Sequence, residues 1–312
     1  MKLACKLVLI SFVCSLFFLQ CKSKKNTADA PKQTPPVVVD VMIAEKPPRK
    51  LKYRSIFISD VHLGFRGCQA EFLLNFLHST KSDYLYLIGD IFDGWEMRKK
   101  AYWPTAHQEV VNCILQKAAS GTMVVYTPGN HDEVARAYCS QSFDNIHVLD
   151  TAIHATADRR RLLILHGDQF DTVIKISPLL AKLGSKMYGQ LLFVNRLLNR
   201  IRGMIGLPYW SIASHLKHKV KNVVSYIGKF EEAVVNSARA QNLDGVVCGH
   251  IHHAEMTYFG DTLYCNTGDW VESCTALVEN QDGSLEILKW TEQAHQFPSL
   301  ALAKELHAVD AS

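Results

Sequence analysis

Five short polar motifs, each placed directly after an apolar run, constrain the fold of this 312-residue chain more than any other feature. The runs are rich in β-branched residues and match the pattern of buried strands. They cover residues 56–59, 84–88, 123–127, 162–165 and 245–248. The motifs that follow them are Asp60-Val61-His62, Gly89-Asp90, Gly129-Asn130-His131-Asp132, His166-Gly167-Asp168 and Gly249-His250-Ile251-His252-His253. Because strands of an α/β sheet open their carboxyl ends at one edge, the motifs are predicted to converge.

The residue types in these motifs are those that bind hard divalent cations. Carboxylate, imidazole and amide oxygen ligands suit such ions, and two ions placed close together need one ligand that bridges them. Asp90 is the natural bridge. Each motif taken alone is typical of a turn or a helix cap. All five in one chain favour a two-metal hydrolytic site.

The series of motifs resembles the calcineurin-like metallophosphoesterase superfamily, whose pattern is Asp-x-His, Gly-Asp, Gly-Asn-His-Asp/Glu, His and Gly-His-x-His. All five blocks are present, and the resemblance extends over about residues 54–290. It implies an α/β fold, a four-layer α-β-β-α sandwich of two mixed β-sheets with a helical lid insertion. It also implies two divalent metal ions, with manganese expected and iron or zinc left open.

The resemblance assigns a role to each motif residue. His131 would contact the scissile phosphate or protonate the leaving group. One metal would be held by Asp60, His62, Asp90 and His252, and the second by Asp90, Asn130, His166 and His250. The nearby carboxylates Asp93, Asp132 and Asp168 are interpreted either as partners that orient metal-bound imidazoles or as helix caps.

Three stretches indicate a substrate. Residues 57–64, 87–95 and 166–171 are similar to the UDP-2,3-diacylglucosamine diphosphatases of lipid A biosynthesis, which release UMP and an acylated sugar phosphate. A lipid-linked sugar nucleotide is therefore the expected partner. One branch of that family carries Arg after the metal-binding Asn, where this chain has His131. Another phosphodiester or phosphomonoester substrate therefore stays open, as does a non-catalytic scaffold of the same fold.

The segment between Asp171 and Glu231 has an unusual charge pattern. It contains no acidic residue and ten Lys or Arg, and its apolar residues recur at spacings of three and four. These features predict basic amphipathic helices that cover the substrate or contact an anionic membrane surface. An ordinary helical insertion with a solvated basic face is the alternative. A nucleic-acid role is not favoured, because the segment is too apolar for a phosphate track.

The remaining boundaries follow from composition. Residues 1–22 are a hydrophobic leader or anchor, and residues 23–52 a Pro- and Lys-rich linker. A metallophosphoesterase domain is predicted over 53–290, with an insertion over about 172–230 and a tail over 291–312. Met42 is an alternative start. We expect a protein on the cytoplasmic face of the inner membrane, peripheral or N-terminally anchored; an exported lipoprotein cleaved at Cys21 is the alternative. The sequence does not indicate the oligomeric state.

Overall fold

Two β-sheets packed face to face form the centre of the computed structural model, which describes residues 50–171, 195, 198–202, 204, 210 and 221–297. The seven-stranded sheet has the order β12-β11-β1-β2-β3-β5-β4, and the five-stranded sheet the order β6-β7-β8-β10-β9. The strands of the first half of the chain are β1 (Leu51–Ile58), β2 (Thr80–Ile88), β3 (Met123–Thr127), β4 (Gln141–Phe143), β5 (Ile146–Val148), β6 (Ala152–Ala155) and β7 (Arg161–Ile164). The strands of the second half are β8 (Gly245–Cys248), β9 (Glu255–Phe259), β10 (Thr262–Asn266), β11 (Thr275–Glu279) and β12 (Leu285–Lys289).

Both sheets are mixed, and their central strands are parallel. In the larger sheet β1, β2, β3 and β5 run parallel, while β4, β11 and β12 are antiparallel to their neighbours. In the smaller sheet β7, β8 and β10 run parallel, flanked by the antiparallel strands β6 and β9. The central strands are apolar along their length because both of their faces are covered.

Helices cover the outer face of each sheet. They are α1 (Ala70–Ser79), α2 (Gly94–Lys99), α3 (Thr105–Ala119), α4 (Lys221–Ala240) and α5 (Trp290–Gln293). Helix α1 buries Ala70, Leu73, Leu74, Phe76 and Leu77, the spacing of one apolar helix face. It packs with α3 on the larger sheet, whereas α4 contacts β8 and β10 of the smaller one.

Three apolar clusters correspond to the three interfaces between four layers. One lies between the larger sheet and α1 and α3, and another between the smaller sheet and α4. The third, which includes Phe57, Ile88, Ile164 and Val247, fills the space between the sheets. The predicted α-β-β-α sandwich of two mixed sheets is therefore confirmed.

The five predicted runs all fall on strands, although β1 and β2 begin five and four residues earlier than predicted. Turns at Gly260-Asp261 and at Asp282-Gly283 connect β9 to β10 and β11 to β12. Strand β1 begins at Leu51, inside the predicted linker, because Leu51 and Lys52 pair with the first residues of β2. Trp290 is buried, and α5 continues from it to Gln293, three residues into the predicted tail.

Most of the predicted insertion over 172–230, the leader and most of the linker lie outside the described residues. Within the insertion, residues 198–202 are helical, and α4 starts at Lys221 and extends ten residues past the predicted boundary. No helix in the described ranges combines the length and the apolarity that crossing a bilayer requires.

A buried carboxylate joins the two sheets. Glu279 of β11 accepts hydrogen bonds from Arg54 Nη1 at 2.8 Å, from the Ser55 hydroxyl and from the main-chain N–H of Ala157 at 2.8 Å. His154 Nε2, on β6 of the smaller sheet, lies 2.8 Å from the same carboxylate. Burial would raise the pKa of Glu279, but these donors, His154 first, lower it to about 2.

The Glu279→Gln variant should therefore lose stability by about 3 kcal/mol at neutral pH, the free energy of a pKa shift from 4.5 to about 2. Because the folded-state pKa is depressed, this contribution is present above pH 4.5 and is lost as the pH falls towards 2. Urea unfolding at several pH values measures it, with the exposed Glu286→Gln on β12 as control. An equal acid sensitivity of wild type and Glu279→Gln would contradict this account.

Candidate active site

The five predicted motifs lie together at one edge of the sandwich. Each motif begins within two residues of the end of a strand: β1, β2 and β3 in the larger sheet, and β7 and β8 in the smaller sheet. Three groups of side chains in this region have ligand atoms within 4.8 Å of one another. The groups are Asp60, His62 and His252; His62, Asp90 and His131; and Asp90, His166 and His250.

Asp90 lies at the centre of the cluster. Its Oδ2 atom is 3.5 Å from His166 Nε2, 3.9 Å from His62 Nε2 and 4.0 Å from His131 Nε2. Its Oδ1 atom accepts a hydrogen bond from the main-chain N–H of His131 at 2.8 Å. One carboxylate oxygen is therefore held by the protein, while the other faces three imidazoles from three different loops.

Asp60 resembles Asp90 in that one carboxylate oxygen is held by the protein and the other faces the cluster. Its Oδ2 atom accepts hydrogen bonds from the Ser59 hydroxyl and from the main-chain N–H of His250 at 2.9 Å. Its Oδ1 atom lies 3.2 Å from His252 Nε2. His252 Nε2 is in turn 3.3 Å from His62 Nε2. The contacts of Asp60 with His250 and His252 join the loop after β1 to the loop after β8 and so connect the two sheets at the site.

Three of the possible ligand atoms that point into the cluster have no hydrogen-bond partner among the described residues. Asp60 Oδ1, Asn130 Oδ1 and His166 Nε2 are buried, and none makes a hydrogen bond within the described part of the chain. A buried polar atom without a partner carries a free-energy cost, unless a ligand satisfies it. Converging carboxylate, amide and imidazole lone pairs are the donor set of a hard or borderline divalent cation. The residues present therefore fit a metal centre.

The histidine tautomers are set by contacts outside the cluster. His166 Nδ1 donates to the carbonyl oxygen of Ile88 at 3.0 Å, which leaves the lone pair on Nε2, towards Asp90. His250 Nε2 lies 2.9 Å from Asp171 Oδ1, so its Nδ1 is the nitrogen left for an ion. In both residues one ring nitrogen contacts the protein and the other is available to a metal ion.

Asp93 contacts both His62 and His131. Its Oδ2 lies 3.1 Å from His62 Nδ1, and its Oδ1 lies 3.0 Å from His131 Nδ1. Asp93 also caps α2, because its side chain accepts from the N–H of Glu96 at 2.8 Å. Asp93 therefore both orients imidazoles and caps a helix, the two roles that the sequence analysis gave as alternatives. It turns the Nε2 atoms of both rings towards Asp90.

Asp132 and Asp168 act differently. Asp132 accepts from the Tyr126 hydroxyl and the Gly129 N–H, both at 2.6 Å, and from the Ile91 N–H at 2.8 Å, and so ties the loop after β3 to the loop after β2. Asp168 accepts from Arg136 Nη2 at 2.7 and 2.8 Å. Within the described residues neither carboxylate orients an imidazole of the cluster.

The main chain of the site is held in a sparsely populated conformation. Asp60, His62, Asp90, His250 and His252 all have φ between 51° and 72°, in the left-handed region. Residues other than glycine rarely adopt this region, and their clustering marks functional sites. Gly89, beside Asp90, has φ of 69°, and a Cβ atom there would overlap the His166 ring. Glycine at this position lets the two loops approach.

The charges of the cluster perturb one another. Burial would raise the pKa of Asp60, but His252 lowers it to about 2, and the pKa of Asp90 is held well below its usual range by His166. Burial would lower the pKa of His62 and His166, but Asp93 raises the first to about 9 and Asp90 raises the second to about 10. Because a ligating imidazole must be neutral, metal binding releases protons here and acid pH opposes it.

One aromatic residue of the site was missed by the sequence reasoning. Trp95 stacks on the His131 ring, with 4.0 Å between ring centroids and 29° between planes, and is 43% exposed. His62 contacts His131 edge-on at 4.6 Å. Trp95 lies in the first turn of α2, which Asp93 caps. The feature of the sequence that could have indicated Trp95 is its position two residues after this capping Asp. Packing and Asp93 together fix the His131 ring.

Comparison with known proteins identifies the family. The family model for calcineurin-like phosphoesterases matches residues 53–254, more than half of the chain. The chain belongs to the calcineurin-like phosphoesterase family. The predictions of family, fold and enzyme class, a phosphoester hydrolase, are confirmed, and membership of the family implies divalent metal ions.

Curated relatives carry one name. A UDP-2,3-diacylglucosamine hydrolase of Xanthomonas campestris pv. campestris (strain B100) is 33% identical over 118 residues, which is 36% of this chain and 46% of that protein. The chain thus spans about half the length of the first relatives it matches. A protein of the same name from Wigglesworthia glossinidia brevipalpis is 24% identical over 80% of this chain and 98% of its own.

Among solved structures, an archaeal phosphodiesterase is similar over 75% of this chain and 98% of its own, with 12% identity and a TM-score of 0.38.

Proposed function

We propose that the chain hydrolyses the pyrophosphate of UDP-2,3-diacylglucosamine to UMP and 2,3-diacylglucosamine 1-phosphate. The observation that carries this proposal is the Wigglesworthia relative of that name, which aligns along 98% of its own length and 80% of this chain. The alignment is supported by a complete set of metal-binding residue types at the sheet edge. The substrate class comes from the names of the relatives, and the chemistry from the residues of the site.

The metal ligands in this proposal are those indicated by the sequence. Asp90 would bridge two ions, one also held by Asp60, His62 and His252, and the other by Asn130, His166 and His250. When bound, such a pair of ions activates a water nucleophile and neutralises charge on the phosphoryl oxygens. The mixed oxygen and nitrogen ligands suit Mn²⁺, with Fe or Zn as the other choices.

His131 acts in the proposed reaction as the residue next to the leaving oxygen. Water adds to one phosphorus atom of the pyrophosphate, the bridging P–O bond breaks, and the leaving oxygen needs a proton or a positive charge beside it. Asp93 is placed to hold Nδ1 of His131 and Trp95 to pack against the ring, so that Nε2 faces Asp90. In its imidazolium form, with Asp93 beside the Nδ1 proton, His131 would offer the proton on Nε2 to the leaving group.

The insertion supports a lipid substrate. Of its described residues, Leu198, Ile201, Met204 and Trp210 are exposed, and Met204 reaches 73%. They stand in a segment with ten basic residues and no acidic one. Exposed apolar side chains among cations suit acyl chains and an anionic membrane surface. We therefore propose a location at the cytoplasmic face of the inner membrane, peripheral or N-terminally anchored, with an exported lipoprotein as the alternative.

A different phosphodiester or phosphomonoester is the second candidate substrate. His131 favours it, because the general superfamily pattern carries His where one branch of the diacylglucosamine enzymes carries Arg. A non-catalytic scaffold of this fold is disfavoured by the complete donor set.

The two substrates are distinguished by one assay. UMP release from UDP-2,3-diacylglucosamine in detergent micelles is followed beside hydrolysis of a water-soluble phosphodiester, with the full chain and Mn²⁺. We expect turnover of the lipid substrate to exceed that of the soluble one by at least about a hundredfold, since the binding energy of the remote acyl chains lowers the barrier. Turnover of the soluble diester alone would reject the lipid substrate and retain the metal chemistry.

Replacement of the bridging residue tests the two-metal assignment. Asp90→Ala should lower the content of both ions together and abolish hydrolysis, because one carboxylate serves both. Metal content by atomic spectrometry and turnover measure the effect, with the exposed Asp150→Ala as control. Near wild-type turnover of Asp90→Ala would refute the dinuclear site.

The role assigned to His131 makes a different prediction. His131→Ala should keep its metal content while turnover falls by roughly 10² to 10⁴, the usual contribution of a positioned acid. His147→Ala, on β5 away from the site, is the matched control. Loss of metal from His131→Ala would show that this residue is a ligand instead.

A further inference from the structure

A second polar depression lies at the opposite edge of the larger sheet. Strands β1, β2 and β3 begin there, at Leu51, Thr80 and Met123, whereas the metal-site motifs follow their other ends. With about 3.3 Å per residue and eight or nine residues per strand, the two edges of β1 and β2 are roughly 25 Å apart. The depression has a volume of about 380 Å³. We call it the basic pocket.

Lysine dominates the lining of the basic pocket. Lys50, Lys52, Lys81 and Lys117 line it, and Asp83 is the one acidic residue among its lining residues. Within the described residues none of these four lysines forms an ion pair, although Lys117 Nζ donates to the Thr80 carbonyl at 2.7 Å. Like charges held together repel unless an anion is present. The pocket thus carries an uncompensated positive charge.

Burial and neighbouring lysines lower the pKa of two residues that line the basic pocket, Lys117 and His78. Burial and then the nearby Lys50 and Lys81 lower the pKa of Lys117 to about 8. Burial, followed by Lys50 and Lys117, also lowers the pKa of His78, which lines the same pocket. Lys52 of β1 lies directly opposite Lys81 of β2 in the pairing of the two strands, which brings these two lysines together at the pocket.

A buried hydroxyl in the lining has no partner. Ser82 is 9% exposed, and its Oγ makes no hydrogen bond with any described residue. It belongs to β2, between Lys81 and Asp83, and borders the same pocket. A buried hydroxyl normally finds a partner, so this one is available as a donor to an acceptor in the pocket.

The partial negative charge at the ends of helices α1 and α3 does not explain all the cations of the basic pocket. Helices α1 and α3 end beside the pocket, and the carboxyl end of a helix favours nearby cations. His78 and Lys117 belong to these last turns and are explained in this way. Lys50, Lys52 and Lys81 lie instead at the starts of strands, and no acidic residue in the described ranges pairs with them.

We propose that the basic pocket binds the phosphate group of an anionic ligand, separately from the metal site. Several ammonium groups and a hydroxyl around one small volume match the oxygens of a phosphate. The ligand is either a soluble phosphate compound or the headgroup of a membrane phospholipid. The second source is suggested by the chain before Lys50, which carries the apolar run from Leu7 to Leu19.

The test compares wild type with the double variant Lys52→Gln/Lys81→Gln in the full, Mn²⁺-loaded chain. Both residues are exposed, so folding should be retained. Titration calorimetry with inorganic phosphate should show two classes of site in wild type. EDTA should remove the metal-dependent class, and the double variant should weaken the other about tenfold while hydrolysis of a soluble phosphodiester stays unchanged.

The matched control is Lys99→Gln/Lys289→Gln, which removes two exposed lysines elsewhere on the surface and should leave both phosphate sites intact. Vesicles of phosphatidylcholine with and without phosphatidylglycerol identify the source. A loss of sedimentation with phosphatidylglycerol vesicles in the double variant assigns the pocket to a headgroup. Phosphate binding lost without any change with vesicles assigns it to a soluble compound. Equal phosphate and vesicle binding by wild type and Lys52→Gln/Lys81→Gln would overturn the proposal.

Discussion

The contact on which the site depends is that of the Asp90 carboxylate with three imidazoles. His62 follows β1, His131 follows β3, and His166 comes from the other sheet, so all three loops meet at one oxygen atom. The second oxygen is held by the N–H of His131. This arrangement needs parallel strands that end at one edge, which is why the fold and the chemistry depend on each other.

Holding so many charges and strained residues together has a free-energy cost. Five residues of the cluster have left-handed backbones, and sparsely populated conformations cost of order 1–3 kcal/mol each. The cost is offset by the apolar layers on both sides and by Asp132, whose carboxylate fixes the loops after β2 and β3 through three hydrogen bonds. The site is preorganised because the surrounding structure cannot easily relax.

The features that the sequence predicted correctly are those that depend on short stretches of neighbouring residues. Apolar runs followed by polar turns predicted the central strands to within five residues at each end. The motifs contain all the residues of the three Asp and His groups that meet at the sheet edge. The sequence could not show that Asp93 serves both His62 and His131, because those contacts join loops that are distant along the chain. Trp95 was missed for a similar reason, since an exposed tryptophan can be assigned to the site only when the ring that it stacks on is known. The basic pocket was not predicted either, because Lys81 reaches Lys52 only through the pairing of β1 with β2, and Lys117 comes from the end of α3.

The division of the site between two sheets has a consequence for assembly. Asp60 and Asp90 come from the first half of the described domain, while His166, His250 and His252 come from beyond β7. On the proposed ligand assignment, neither half of a nascent chain carries all the residues of a metal site, so both sheets would have to form and dock before either site is complete. Once captured, an ion favours the docked sandwich over any opened form by mass action. Metal supply would then act as a late checkpoint in the maturation of the protein as well as a requirement for turnover.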